Sequence, residues 1–81
     1  MFVSVKLLGL QRTLTQKDRI QVPFSKGTRV ADVFAYIRES FPELPFSEKA
    51  LLVTVNDKVS TMDRILKSDD DISFLPFIGG G

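Results

Sequence analysis

Apolar and polar residues alternate at the start of the chain, with Val3, Val5 and Leu7 set against Ser4 and Lys6. A period of two is that of a half-buried strand, so residues 2–8 read as the first strand. Residues 9–18 are polar apart from Leu10 and Leu14. Ile20, Val22 and Phe24 then alternate with Arg19, Gln21 and Pro23, a second strand paired with the first as a hairpin. Proline has no N–H to give a ladder, which puts this strand at a sheet edge or ends it near Pro23. Ser25, Lys26 and Gly27 turn the chain, and Thr28 is the expected N-cap of a helix, with Asp32 in its first turn facing the positive end of the dipole. The spacing of Val30, Val33, Phe34, Ile37 and Phe41 makes one apolar stripe on that helix. Pro42 disfavours helical geometry at Phe41, so the helix stops near Ser40 and an irregular, proline-containing connection follows.

In the second half, Leu51, Val53 and Val55 alternate with Leu52 and Thr54 in a third strand that Asn56-Asp57 closes as a turn. A short fourth strand spans 58–60, and 62–66 is a loop or a single helical turn. The polar turn 67–71 leads into Ile72-Ser73-Phe74-Leu75, the last strand, which Pro76-Phe77-Ile78 and three glycines follow.

Two strands, a helix and two or three more strands lack the strict alternation of a doubly wound sheet. They specify an α+β roll. A mixed sheet of four to five strands with one main helix across one face is the β-grasp (ubiquitin-like) arrangement. The expected division is a domain over 1–78 and a flexible C-terminal glycine tail over 79–81. Such a fold hosts many functions, so the function has to be argued from particular residues.

The 81 residues are 43% hydrophobic and 26% charged, as expected of one small globular domain. With no cysteine and no histidine, the chain offers no disulfide, thiolate nucleophile, imidazole base, or metal site of the usual nitrogen and sulfur ligands. A small domain without disulfides, starting without a basic segment ahead of an apolar run, is expected in the cytoplasm. The apolar runs are far shorter than the ~20 residues that span a bilayer, so no membrane is expected. A net charge of +1 does not concentrate phosphate-binding charge, and nucleic acid is not an expected partner.

Few constellations carry chemistry. Asp69-Asp70-Asp71 lacks the alternating ligands, central glycine and distal glutamate of a calcium loop, and reads as a solvated turn. Thr13, Thr15, Ser60 and Thr61 have no base to activate them. Lys26-Gly27-Thr28 lacks the earlier glycine of a phosphate-binding loop. What remains is Gly79-Gly80-Gly81. Glycine is costly to order and packs nothing, so three beyond a strand make a thin flexible tail bearing one carboxylate. On its own this is either an inert end or a tail that threads a narrow channel into another enzyme's active site.

The segments Leu51-Leu52-Val53-Thr54-Val55-Asn56, Val59-Ser60, Leu66 through Pro76, and Gly80-Gly81 resemble the MoaD family, the small subunit of molybdopterin synthase among the MoaD/ThiS-like ubiquitin-like sulfur carriers. The shared pattern is a strand ending in Val-Asn, a short return strand, an acidic turn, a strand reading hydrophobic-x-Phe-x-Pro, and a terminal diglycine. Residues 1–49 resemble the family only in the order of elements and in Arg12. Two positions depart from it: Asp69 stands where glycine is usual, and Phe77 where a second proline is common.

The resemblance implies a carrier that is not itself a catalyst and binds no cofactor. An E1-like (MoeB-like) adenylyltransferase would use ATP in trans to activate Gly81, and sulfur transfer would turn the acyl-adenylate into a thiocarboxylate. Gly79 and Gly80 would let the tail pass, and the larger, MoaE-like synthase subunit would act on the pterin precursor, the sulfur ending in the molybdenum-binding dithiolene. A carrier for thiamine or another product, a modifier conjugated to lysine, and an interaction module with inert glycines are the alternatives. Strand alternation adds a docking face. With Val3, Val5, Leu7, Ile72 and Phe74 toward the helix, Leu8 and Leu75 lie on the other side of the sheet with Phe77 beyond, and apolar side chains clustered near the tail read as an interface, with scattered surface leucines as the alternative.

Overall fold

The computed structural model describes residues 2–44 and 51–76. Five strands, β1 (Phe2–Lys6), β2 (Arg19–Pro23), β3 (Leu51–Val55), β4 (Lys58–Ser60) and β5 (Asp71–Pro76), are joined by helices α1 (Leu10–Thr15) and α2 (Val30–Ser40). The sheet runs β2-β1-β5-β3-β4. β1 and β5 are parallel, while β1 with β2, β3 with β5 and β3 with β4 are antiparallel. β2 and β3 therefore point the same way, and α2 is the crossover that such a connection requires. This is the β-grasp roll expected from the order of elements, and Pro23 sits on an edge strand as its missing N–H demands.

One face of the sheet is dry. Val3 and Val5, Ile20 and Val22, Val53 and Val55, and Ile72 and Phe74 bury their side chains there against Val30, Val33, Phe34 and Ile37 of α2. β5 lies at the centre, and Ile72 and Phe74 are fully buried. The Phe34 and Phe74 rings meet tilted by 56° with centroids 5.5 Å apart, a favoured aromatic geometry. The Arg38 guanidinium lies 5.6 Å from the Phe34 ring centroid and covers its outer side.

Turns are specified by side chains. Asn56 and Asp57 both have positive φ, the two-residue hairpin geometry that matches the twist of β3 and β4. The Asn56 amide ties this hairpin to the acidic turn: Nδ2 donates to Asp70 Oδ1 at 2.9 Å, and Oδ1 accepts the Asp71 N–H at 3.0 Å. Asp70, buried, also accepts the Lys67 N–H at 2.8 Å. Asp69 has φ 68, a left-handed conformation that aspartate tolerates better than most residues, which accounts for the usual glycine there.

Three features differ from the sequence expectation. The segment between the first two strands contains a short helix, α1. β1 ends at Lys6 rather than residue 8, and the Leu7 N–H goes to the Asp18 carbonyl at 2.8 Å. The N-cap of α2 is Arg29 and not Thr28. Thr28 closes the preceding turn instead, its hydroxyl accepting the Ser25 N–H at 3.1 Å. Asp32 accepts the Arg29 N–H at 2.8 Å, half of a capping box, because an arginine side chain has no acceptor with which to reciprocate.

Phe74→Ala empties the centre of this core and should lower unfolding free energy by about 3–5 kcal/mol, much of a small domain's total. Urea unfolding measures it, and a loss below about 1 kcal/mol would contradict the burial assigned to this ring.

Candidate functional site

Alternation along β5 and β3 places Leu75 and Leu52 directly opposite one another on the face away from α2. Both are half-buried. Leu8, also half-buried, lies just past the end of β1 at the same end of the sheet. Leu8 and Leu75 thus lie at the same end of the sheet. Phe77, Gly79, Gly80 and Gly81 lie outside the described residues. Leu52 was legible as the residue out of phase with Val53 and Val55, but only its pairing with Leu75 gives it a place. On β4, Val59 pairs with Thr54 and leaves 70% of its surface exposed, extending apolar character toward the β4 edge.

Apart from Phe2 at the start of β1, which is exposed, the side chains that β1, and β2 as far as Gln21, turn to this outer face are polar or charged. Ser4 and Lys6 of β1 and Arg19 and Gln21 of β2 line it, and the Arg19 guanidinium reaches Asp71 at 2.6 Å. With both partners well exposed, that pair orients side chains more than it stabilises the fold. The face has an apolar end beside the β5 terminus and a charged stretch across β1 and β2, with Phe2 at the opposite end from Leu75.

A buried amide holds the apolar end together. Gln11 of α1 is only 5% exposed; its Oε1 accepts the Leu8 N–H at 3.1 Å and its Nε2 donates to the Phe74 carbonyl at 2.7 Å. No sequence signal pointed to it, because a glutamine in a polar stretch has no periodicity to betray its burial.

Among the described residues no group of His, Cys, Asp or Glu is placed to hold a metal ion. The hollow beside α1, lined by Gly9, Arg12, Thr13, Gln16, Lys17 and Asp18, is crossed by an exposed Arg12–Asp18 ion pair at 2.9 Å and contains no nucleophile with a base. No helix of the described residues is long and apolar enough to cross a membrane. The arrangement can present a strand end and an apolar surface to another protein.

Comparison with known proteins agrees with that capacity. The model of the ThiS family matches residues 5–81. No curated protein matches the chain in sequence. Among solved structures, the small archaeal modifier protein SAMP1 of Haloferax volcanii superposes with a TM-score of 0.82 at 16% identity, over 100% of both chains. A Pyrococcus furiosus protein assigned as molybdopterin converting factor subunit 1 gives 0.81 at 22% identity, over 96% of this chain and 99% of its own. A chain of the complex of subunits 1 and 2 of the molybdopterin-converting factor from Helicobacter pylori gives 0.68 at 22% identity over 100% of both. Identities this low establish the fold that these proteins share with the chain.

Leu75→Lys and Leu52→Lys should leave the monomer folded, because a lysine stem can lie along the outer face with its ammonium in water. Unfolding free energies from urea titration should change by no more than about 1 kcal/mol for either, far less than for Phe74→Ala. Unfolding by Leu75→Lys would reverse the assignment of the two faces.

Proposed function

The chain belongs to the ThiS family, the MoaD/ThiS-like ubiquitin-fold carriers and modifiers, and on that premise we propose that it carries sulfur as a thiocarboxylate on Gly81 for the dithiolene of molybdopterin. The observation that carries the proposal is the position of the β5 terminus. β5 ends at Pro76, opposite Leu51 and next to the Leu52–Leu75 pair, so the segment leading to Gly79, Gly80 and Gly81 starts from an apolar docking face.

The chemistry suits a chain without cysteine or histidine. A carboxylate resists attack, so an E1-like enzyme first joins it to AMP from ATP with release of pyrophosphate. A hydrosulfide-level sulfur nucleophile then adds to the activated carbonyl, the bond to the AMP oxygen breaks, and the thiocarboxylate remains. Gly80 and Gly79 put no side chain in the way of that carbonyl. Leu8, Leu75 and Phe77 would pack against the larger, MoaE-like subunit, which holds the pterin precursor. A complex of two such subunits exists in the Helicobacter pylori neighbour, and its chain shares this fold.

A second reading, a protein modifier, is favoured by the likeness to SAMP1. There a lysine amine of a substrate protein would attack the same acyl-adenylate and form an amide.

Incubation with ATP, a sulfide source and an E1-like enzyme should add the mass of one sulfur-for-oxygen exchange, located at Gly81. Deletion of Gly81 should abolish the gain without moving the melting temperature. Appearance of amide-linked conjugates without free thiocarboxylate would establish the modifier reading instead. In the carrier reading, Leu75→Lys should weaken binding to the larger subunit at least tenfold, about 1.4 kcal/mol, because the ammonium must be desolvated without a partner.

A further inference from the structure

β1 and β5 pair in parallel with Ser4 opposite Asp71 and Lys6 opposite Ser73. The Ser4 N–H donates to the Asp70 carbonyl at 3.0 Å, which fixes the phase of the ladder. Moving four residues along both strands from that bond matches the Leu8 N–H with the Phe74 carbonyl. Those two groups do not meet each other. Between them stands the Gln11 amide, which accepts from Leu8 at 3.1 Å and donates to Phe74 at 2.7 Å. A side-chain amide has the same donor and acceptor as a peptide unit, so Gln11 supplies the next rung after the backbone of β1 has turned away.

Among the described residues this rung is the last that β5 receives on its β1 side. Pro76 has no N–H, so it cannot donate another. On the β3 side the pairing continues to Leu51 opposite Pro76. Without Gln11, the buried Phe74 carbonyl and the half-buried Leu8 N–H would lose the hydrogen bonds that its amide supplies, while the β3 side of the strand would keep its ladder.

Resting on the carrier reading for its purpose, we infer that Gln11 is a positioning residue that sets the direction in which the C-terminal segment leaves β5, and thus how often Gly81 reaches the activating site in reactive geometry. In the carrier reading docking depends on side chains of the outer face, whereas Gln11 is buried in the gap between the end of β1 and β5. Its loss therefore acts on the turnover of docked carrier more than on docking, because misplacing a reacting group by about 1 Å can cost on the order of a hundredfold in rate.

Two variants test this. Gln11→Met keeps the length and removes both hydrogen bonds, and Gln11→Glu keeps the acceptor for Leu8 but sets a carboxylate oxygen against the Phe74 carbonyl. In steady-state pyrophosphate release with ATP, a sulfide source and an E1-like enzyme, both should lower kcat at least about tenfold while KM for the carrier stays within about twofold. In amide NMR spectra, Gln11→Met should shift Leu8 and Leu75 together and deprotect Leu8, and Gln11→Glu should shift Leu75, whose nitrogen shares the peptide unit of the Phe74 carbonyl, while leaving Leu8 protected. Unchanged kcat in the folded variants, or a Leu75 resonance that does not move, overturns the inference. Should the unaltered chain release no pyrophosphate, the carrier reading fails, and the Leu75 resonances decide by themselves whether Gln11 holds the strand end.

Discussion

β5 is the last strand in sequence and the middle one in space. It is inserted between β1 and β3, pairing in parallel with the first and antiparallel with the second, and its Ile72 and Phe74 are buried against α2. The sheet is therefore not continuous until the final described segment is in place. Neither half of the chain can bury its apolar face alone, and the long loop closures this implies are paid in chain entropy before the central contacts return it. Phe74 is the point where these demands meet, with its ring against Phe34 and its carbonyl on Gln11.

The same placement determines what the molecule presents. Because β5 is held on both sides up to its last residues, its end is a defined place on the surface, beside the Leu52–Leu75 pair. A strand at the sheet edge would leave the following residues without such a reference. The point from which the segment after Pro76 starts therefore follows from the topology of the sheet.

The start of β5 is fixed with similar care. Asn56 and Asp70 connect the β3–β4 hairpin to the turn that precedes it, so every polar atom of the buried carboxylate is matched to an amide. Among the described residues, no buried side-chain nitrogen or oxygen lacks a partner. That completeness explains how polar side chains can be buried at both ends of β5 without a penalty, since each replaces a hydrogen bond to water with one to the chain.

Periodicity by itself determined much of this protein. The alternation of Val3 and Val5, Ile20 and Val22, Val53 and Val55, and Ile72 and Phe74, with the stripe Val30, Val33, Phe34 and Ile37, marked the four main strands, the principal helix and the buried face, because apolar burial repeats with the geometry of each element. The same phase put Leu75 on the opposite face. Tertiary structure alone decided the rest. The short α1 was invisible, since six residues with two leucines carry no decisive period and the helix forms where packing places it. Thr28 has the chemistry of a cap, but the helix starts one residue later, because the Thr28 hydroxyl is engaged by the turn before it. The facing of Leu52 with Leu75 required the strand order, and the burial of Gln11 required the gap between the diverging end of β1 and β5. Both depend on which segments distant in sequence lie side by side, a property that no local pattern contains.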